Sequence, residues 1–157
     1  MSSIFGDFTT NIINRIKQAI PAQITVAQDL GQLEQFDPVT GPKITLPCVL
    51  IDLKQLTWED LADNIQLGHG SLQVRIGIDP DVSTVVQYYD LLQQVHQCLQ
   101  GSREEASSGL HRRNNNTERR NNKYCVKVMR YEFTIRDTLT EKEKINVAIP
   151  VPVVNKL

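Results

Sequence analysis

The chain has 157 residues, 40% apolar and 22% charged, with a net charge of −1, which fits one globular domain, or one domain with substantial arms. No apolar run approaches the roughly 18 residues of a membrane span, and the N-terminus lacks a basic stretch followed by an apolar one, so neither a span nor a signal peptide is expected. Cys48, Cys98 and Cys125 are odd in number and unrelated in spacing. That pattern speaks against a disulfide framework or a zinc site and for small core side chains in a reducing compartment.

In chain order, Phe5, Phe8, Ile12, Ile16 and Ile20 recur at helical spacing and predict a helix over 5–20, capped by Asp7 or Thr9 and closed by Pro21. Ile24 to Gln28 reads as a short strand. Asp29 to Lys43 carries two glycines and two prolines and reads as a long loop. From Ile44 to Thr57 both parities are apolar through Cys48 to Ile51, as expected of a central strand buried on two sides, with Pro47 at its start. Trp58 to Asp63 reads as a turn or short helical segment, and Gly68-His69-Gly70 as a tight connection.

The segment from Ser71 to Gln100 organises the rest. Leu72, Val74, Ile76 and Ile78 alternate as in a strand with one face on a core, and Asp79-Pro80-Asp81 stops it. Ser83 or Thr84 can cap the helix that follows. On that helix Val85, Tyr88, Leu92, Val95 and Leu99 form a stripe, widened by Val86, Tyr89, Leu91 and His96, and Gly101 ends it. Residues 102–123 then change character. They are rich in serine, asparagine and arginine, with Leu110 as the only large aliphatic, and such a stretch is expected to be a flexible arm. Tyr124 to Thr138 returns to strand patterning. Its apolar parity changes near Met129-Arg130, which implies a β-bulge or a strand that changes burial partway. Residues 139–157 read as an extended tail that Pro150 and Pro152 confine to an edge or a mobile arm. The expected class is α+β: one domain over 1–138, a mostly antiparallel sheet with two helices on one face, and long polar loops.

Motifs of catalysis are scarce. His69, His96 and His111 stand at no metal-ligand spacing, no glycine-rich phosphate loop occurs, and no serine lies in a nucleophile elbow. A metal-dependent nuclease needs carboxylates and a lysine converging at one end of a sheet. Asp52 and Lys54 share a strand face, and Asp29 or Glu34 can be imagined joining them. The charge distribution says more. Residues 101–123 carry Arg103, Arg112, Arg113, Arg119, Arg120 and Lys123 against three glutamates, a net +3 on a remainder of −4. A basic arm of this kind can contact nucleic acid phosphates, although it lacks stacking aromatics. It can equally pair with acidic protein, including another copy of this chain.

Taken together, the opening amphipathic helix, Asp29-Leu30-Gly31-Gln32-Leu33-Glu34, Pro47-Cys48-Val49-Leu50-Ile51-Asp52, the Leu72–Pro80 strand ending in Asp-Pro, the long helix to Gly101, the arginine-rich segment and Tyr131-Glu132-Phe133-Thr134-Ile135-Arg136 give the chain its order. In that order and texture it resembles the tail terminator, or tail completion, proteins of long-tailed bacteriophages and Mu-like prophages. The resemblance covers roughly residues 5–137 and includes no catalytic signature. It implies a non-enzymatic virion assembly subunit without cofactor or metal, placed at the tail end or neck and assembled in the bacterial cytoplasm. It further implies a ring, typically of six, that caps the tail tube and docks the head–tail connector, with DNA only in passage through the bore and no membrane. The six basic residues named above are then candidate contacts to a neighbouring subunit or the tube. The alternatives are the nuclease using Asp52 and Lys54, and a nucleic-acid-binding module acting through the arginine-rich arm.

Overall fold

The computed structural model describes residues 3–39, 41–104, 107–121 and 124–138. Its elements are helix α1 (Ile4–Ala19), strands β1 (Thr25–Gln28), β2 (Phe36–Asp37), β3 (Gly41–Pro42) and β4 (Cys48–Asp60), a 3-10 turn (Ala62–Asn64), β5 (Gln66–Ile78), helix α2 (Val85–Leu99), β6 (His111–Asn121) and β7 (Tyr124–Asp137). Five strands form one sheet in the order β1-β4-β5-β7-β6. Among the described strands only β1 runs parallel to its neighbour; β4 with β5, β5 with β7 and β7 with β6 are all antiparallel. The fold is therefore the expected α+β, with a mostly antiparallel sheet.

Strand alternation and helix periodicity meet on one face of this sheet. Val49 and Ile51 of β4, Leu72, Val74 and Ile76 of β5, and Met129, Tyr131, Phe133 and Ile135 of β7 point to the same side. There they bury Phe8, Ile12 and Ile16 of α1 and Tyr88, Leu91, Val95 and Leu99 of α2. Each such burial contributes about 1.5–3 kcal/mol, so this layer dominates folding. Phe8 stacks on Phe133, ring centroids 4.7 Å apart. The start of α2 is as the sequence implies: Thr84 accepts from the Gln87 N–H, while the Gln87 side chain accepts from the Thr84 N–H, a reciprocal capping box. Gly101, at φ +72°, turns the chain away after the helix.

Several expectations are corrected. The cap of α1 is Ser3, not Asp7 or Thr9. Val85 does not belong to the buried stripe of α2; it is 71% exposed, and Leu91 takes its place in the core. Trp58-Glu59-Asp60 continues β4 instead of turning. Gly68-His69-Gly70 lies inside β5. Its glycines serve packing: a Cβ on Gly68 would come within 2.9 Å of the Trp58 ring, and one on Gly70 within 2.7 Å of Leu56. The loop from Asp29 to Lys43 contains the two-residue ladder of β2 and β3.

The arm expected over 102–123 is in large part a strand. His111–Asn121 is β6, the outermost strand, hydrogen-bonded along β7. An edge strand needs no buried side chain of its own, because its backbone ladder to an ordered neighbour holds it. The parity change in β7 reflects a change of burial, not a bulge, since β7 pairs with β5 without a register shift. Tyr124, Val126 and Val128 join a second small core on the other face, and Met129 onward joins the helix face. The expected tail over 139–157 lies outside the described residues.

Candidate functional site

Among the described residues, the second face of the sheet is covered only at one end. Leu33, from the loop after β1, sits over Cys48 and Leu50 of β4 and Val126 and Val128 of β7. Tyr124 Oη donates to the Leu33 carbonyl at 2.7 Å and ties the loop to β7. Beside this cover lies Arg75 of β5, its side chain only 4% exposed. Its guanidinium donates to Asp29 Oδ2 at 3.0 Å, Glu34 Oε1 at 2.7 Å and Glu118 Oε2 at 3.0 Å. Asp29 and Glu34 come from the loop and Glu118 from β6, so one arginine clamps two segments to the sheet centre through three carboxylates. Burial works against the charge on Arg75, but the bonds to Glu34, Asp29 and Glu118 outweigh it and hold the pKa above the usual arginine value. Nothing in the sequence marked Arg75 beyond a charge at a strand position flanked by Val74 and Ile76.

This clamp engages two of the carboxylates named for the nuclease reading. Asp29 and Glu34 are committed to Arg75 and do not join Asp52. Asp52 Oδ2 instead pairs with Lys54 Nζ at 2.9 Å on the same face, both partly exposed. Among the described residues no three His, Cys, Asp or Glu side chains converge as a metal site requires. The histidines lie apart. His69 is 3.7 Å from Glu59, His111 approaches the Gln100 amide at 3.4 Å, and His96 Nδ1 bonds Tyr131 Oη at 2.8 Å. Burial, and then the charge of Arg112, lower the His96 pKa below its ordinary 6.5, so its neutral form is favoured. Burial pushes the Cys48 thiol up to about 11, and Cys98 is raised for the same reason. Both thiols suit core packing and not nucleophilic work.

The uncovered end of that face is polar. A shallow depression of about 400 Å³ is lined by Thr57, His69, Ser71, His111, Arg113 and Glu132, among others. Ser71 Oγ donates to the Lys54 carbonyl at 3.0 Å, next to the irregularity where Gln55 takes φ +41°. The hydroxyl thus satisfies a carbonyl at the bulge, a structural use.

Among the described side chains, Arg103, Arg112 and Arg113 lie in different surroundings. Arg103 is exposed after α2, with its Nε 3.4 Å from the Ser107 carbonyl. Arg112 is exposed on β6 opposite Tyr131. Arg113 pairs with Glu132 at 2.8 Å on the open face. Arg119 stands opposite Cys125 near the far end of β6, with Arg120 next to it at a register shift. Lys123 lies outside the described residues. What unites four of them is the strand: β6, at one edge of the sheet, holds four arginines and one glutamate, a formal +3. Toward the opposite edge, β4 and the turn after it hold Asp52, Glu59, Asp60 and Asp63 against Lys54, a formal −3. Charge is thus separated across the width of the sheet.

No helix among the described residues is long and apolar enough to cross a membrane. Comparison with known protein families gives no match, and neither does comparison with curated proteins.

Proposed function

We propose that this chain is a non-enzymatic virion assembly subunit, a tail terminator or head–tail joining protein whose copies close into a ring over the end of a phage tail tube. The observation that carries this reading is the opposition of charge between the two sides of one sheet, +3 on β6 and −3 on β4 and its turn. A closed cyclic ring needs two different, complementary patches on each subunit, each meeting the other on a neighbour. Opposite edges of a sheet present such patches in fixed relative orientation. Exposed ion pairs contribute only about 0–1 kcal/mol each, so these charges select orientation and partner more than they supply affinity. The order of elements shared with tail terminator proteins supports the same reading, and it supplies the partners: the tube protein on one side and the connector on the other. Arginines on β6 that reach the bore would meet DNA only in passage.

Light scattering coupled to size exclusion tests the proposal. The expected result is a ring-sized particle, weakened by salt because exposed charges are screened beyond about 8–10 Å at physiological ionic strength. The Arg112→Glu/Arg113→Glu variant should lose assembly and regain it when mixed with Glu59→Lys/Asp60→Lys. A protein that stays monomeric at every concentration, with tail-tube protein present, overturns the reading.

A further inference from the structure

The charges of the two sheet edges select orientation between copies but supply little affinity. Apolar side chains left in solvent point to where affinity comes from. Val82, just before α2, and Val85, Val86 and Tyr89 on its first turns each expose more than half of their surface. At helical spacing the last three fall on one stripe, turned away from the buried Leu91 and Val95. Tyr89 also borders a cleft of about 430 Å³ between α2 and the ladder of β6 and β7, whose lining includes Leu92, Met129, Arg112 and Lys127. Lys127 Nζ bonds Thr117 Oγ1 and stands 6.0 Å from the centre of the Tyr89 ring. Among the described lining residues, two cations therefore face one carboxylate, Asp90.

A second exposed apolar pair sits where the charge has the opposite sign. Trp58 and Leu61 each expose more than a third of their surface. They belong to residues 57–64, the end of β4 and the turn after it, which are exposed throughout and hold Glu59, Asp60 and Asp63 with no cation but the option of His69 beside Glu59. Asp63 and Asn64, both at φ +62°, close the turn, and the Leu61 N–H donates to the Ile65 carbonyl at 2.7 Å. The tip is thus preformed, so docking orders little that is not ordered already.

We infer that this tip of one copy docks on the valine and tyrosine stripe of the next. Trp58 and Leu61 cover Val85, Val86 and Tyr89, while Glu59, Asp60 and Asp63 face Arg112 and Lys127. Within one chain the two patches cannot meet. Trp58 pairs with Gly68 and Lys127 with Ile76, so they stand eight residues apart along β5, about 27 Å, and on opposite sides of that strand. A contact between unlike patches on identical copies passes from each copy to the next, as a ring requires. An apolar centre with unlike charges at its rim gives affinity from the first and register from the second. This contact presupposes the ring reading and supplies the apolar centre that its charges lack.

Cross-linking between two full-length variants tests the contact. Leu61→Cys and Gln93→Cys place thiols on the tip and beside the cleft, both at exposed positions. Under mild oxidation their mixture should give disulfide-linked dimers that neither variant gives alone. Leu61→Ser and Tyr89→Ser should keep the wild-type melting temperature at concentrations too low for assembly. Each should raise the concentration needed for assembly at least about tenfold. A wild type that assembles while the mixed cross-link is absent, or while both serine variants assemble equally well, overturns the inference and leaves the ring standing. Cross-links as abundant in one variant alone as in the mixture show like patches meeting like, and overturn it too. A Tyr89→Ser variant that assembles normally but no longer binds tail-tube protein gives the stripe to the tube instead. A wild type that never assembles overturns both readings.

Discussion

Replacing Arg75 by methionine keeps most of the side-chain volume and removes the charge that three carboxylates share. Its bond to Asp29 is buried on both sides, with side chains 4% and 9% exposed. Glu34 and Glu118 are 43% and 33% exposed and well screened. Breaking a buried pair by removing one partner costs about 3–5 kcal/mol, because the other charge stays behind; the two screened pairs add at most about 1 kcal/mol each. At a urea m-value of about 2 kcal/mol/M, the unfolding midpoint should fall by about 1.5–3.5 M. The second substitution Asp29→Asn removes the stranded charge, so Arg75→Met/Asp29→Asn should recover much of the loss. Exchange at Gly31, Glu34 and Gln35 should quicken in the single variant, since the loop loses its clamp. A midpoint shift below about 0.5 M, or a double variant no better than the single one, refutes the idea that a buried charge pair holds this loop.

Stability should fall as pH drops through and below 6.5. His96 has a folded pKa below 6.5, so between that lowered value and 6.5 the unfolded chain binds the proton more readily. Stability gained above 6.5 is therefore lost on acidification through the window, and His96→Gln should flatten the slope of melting temperature against pH; an unchanged slope counts against it. Gly68→Ala should destabilise by about 1–3 kcal/mol and shift Trp58 fluorescence, because the new methyl meets the indole at 2.9 Å. Loss of glycine entropy alone predicts the opposite sign, so a stabilised variant refutes the packing account. Incubated with plasmid and magnesium or manganese, the protein should leave the DNA intact; nicking abolished by Asp52→Ala would revive the nuclease reading.

What was legible in the sequence was whatever writes itself in local periodicity and capping. Helix α2, with Thr84 before it and Gly101 after it, and the alternating half of β5 are of this kind. Three features were not. Strand β6 buries none of the apolar side chains that periodicity counts; its order comes from β7, ten or more residues away in sequence along much of its length. Gly68 and Gly70 look like a turn because glycine usually marks one, yet here the absent side chains make room for Trp58 and Phe133. The clamp at Arg75 joins Asp29 and Glu118 across more than forty residues each way, and no local pattern encodes such a meeting. The parity change in β7 was visible, but only the register against β5 distinguishes its two explanations.

The second small core stops halfway along the sheet. Among the described residues, the body has three layers at the Cys48 end, helices, sheet and the loop bearing Leu33, and two at the Asp60 end. The described body is consequently thicker at one end than at the other. Tapered bodies that touch along their full depth meet their neighbours at a fixed angle, so a row of them bends in one direction. In the proposed ring, substitutions at Leu33, Leu50 or Val126 that thin the thick end would then alter curvature before they altered the chemistry of any contact.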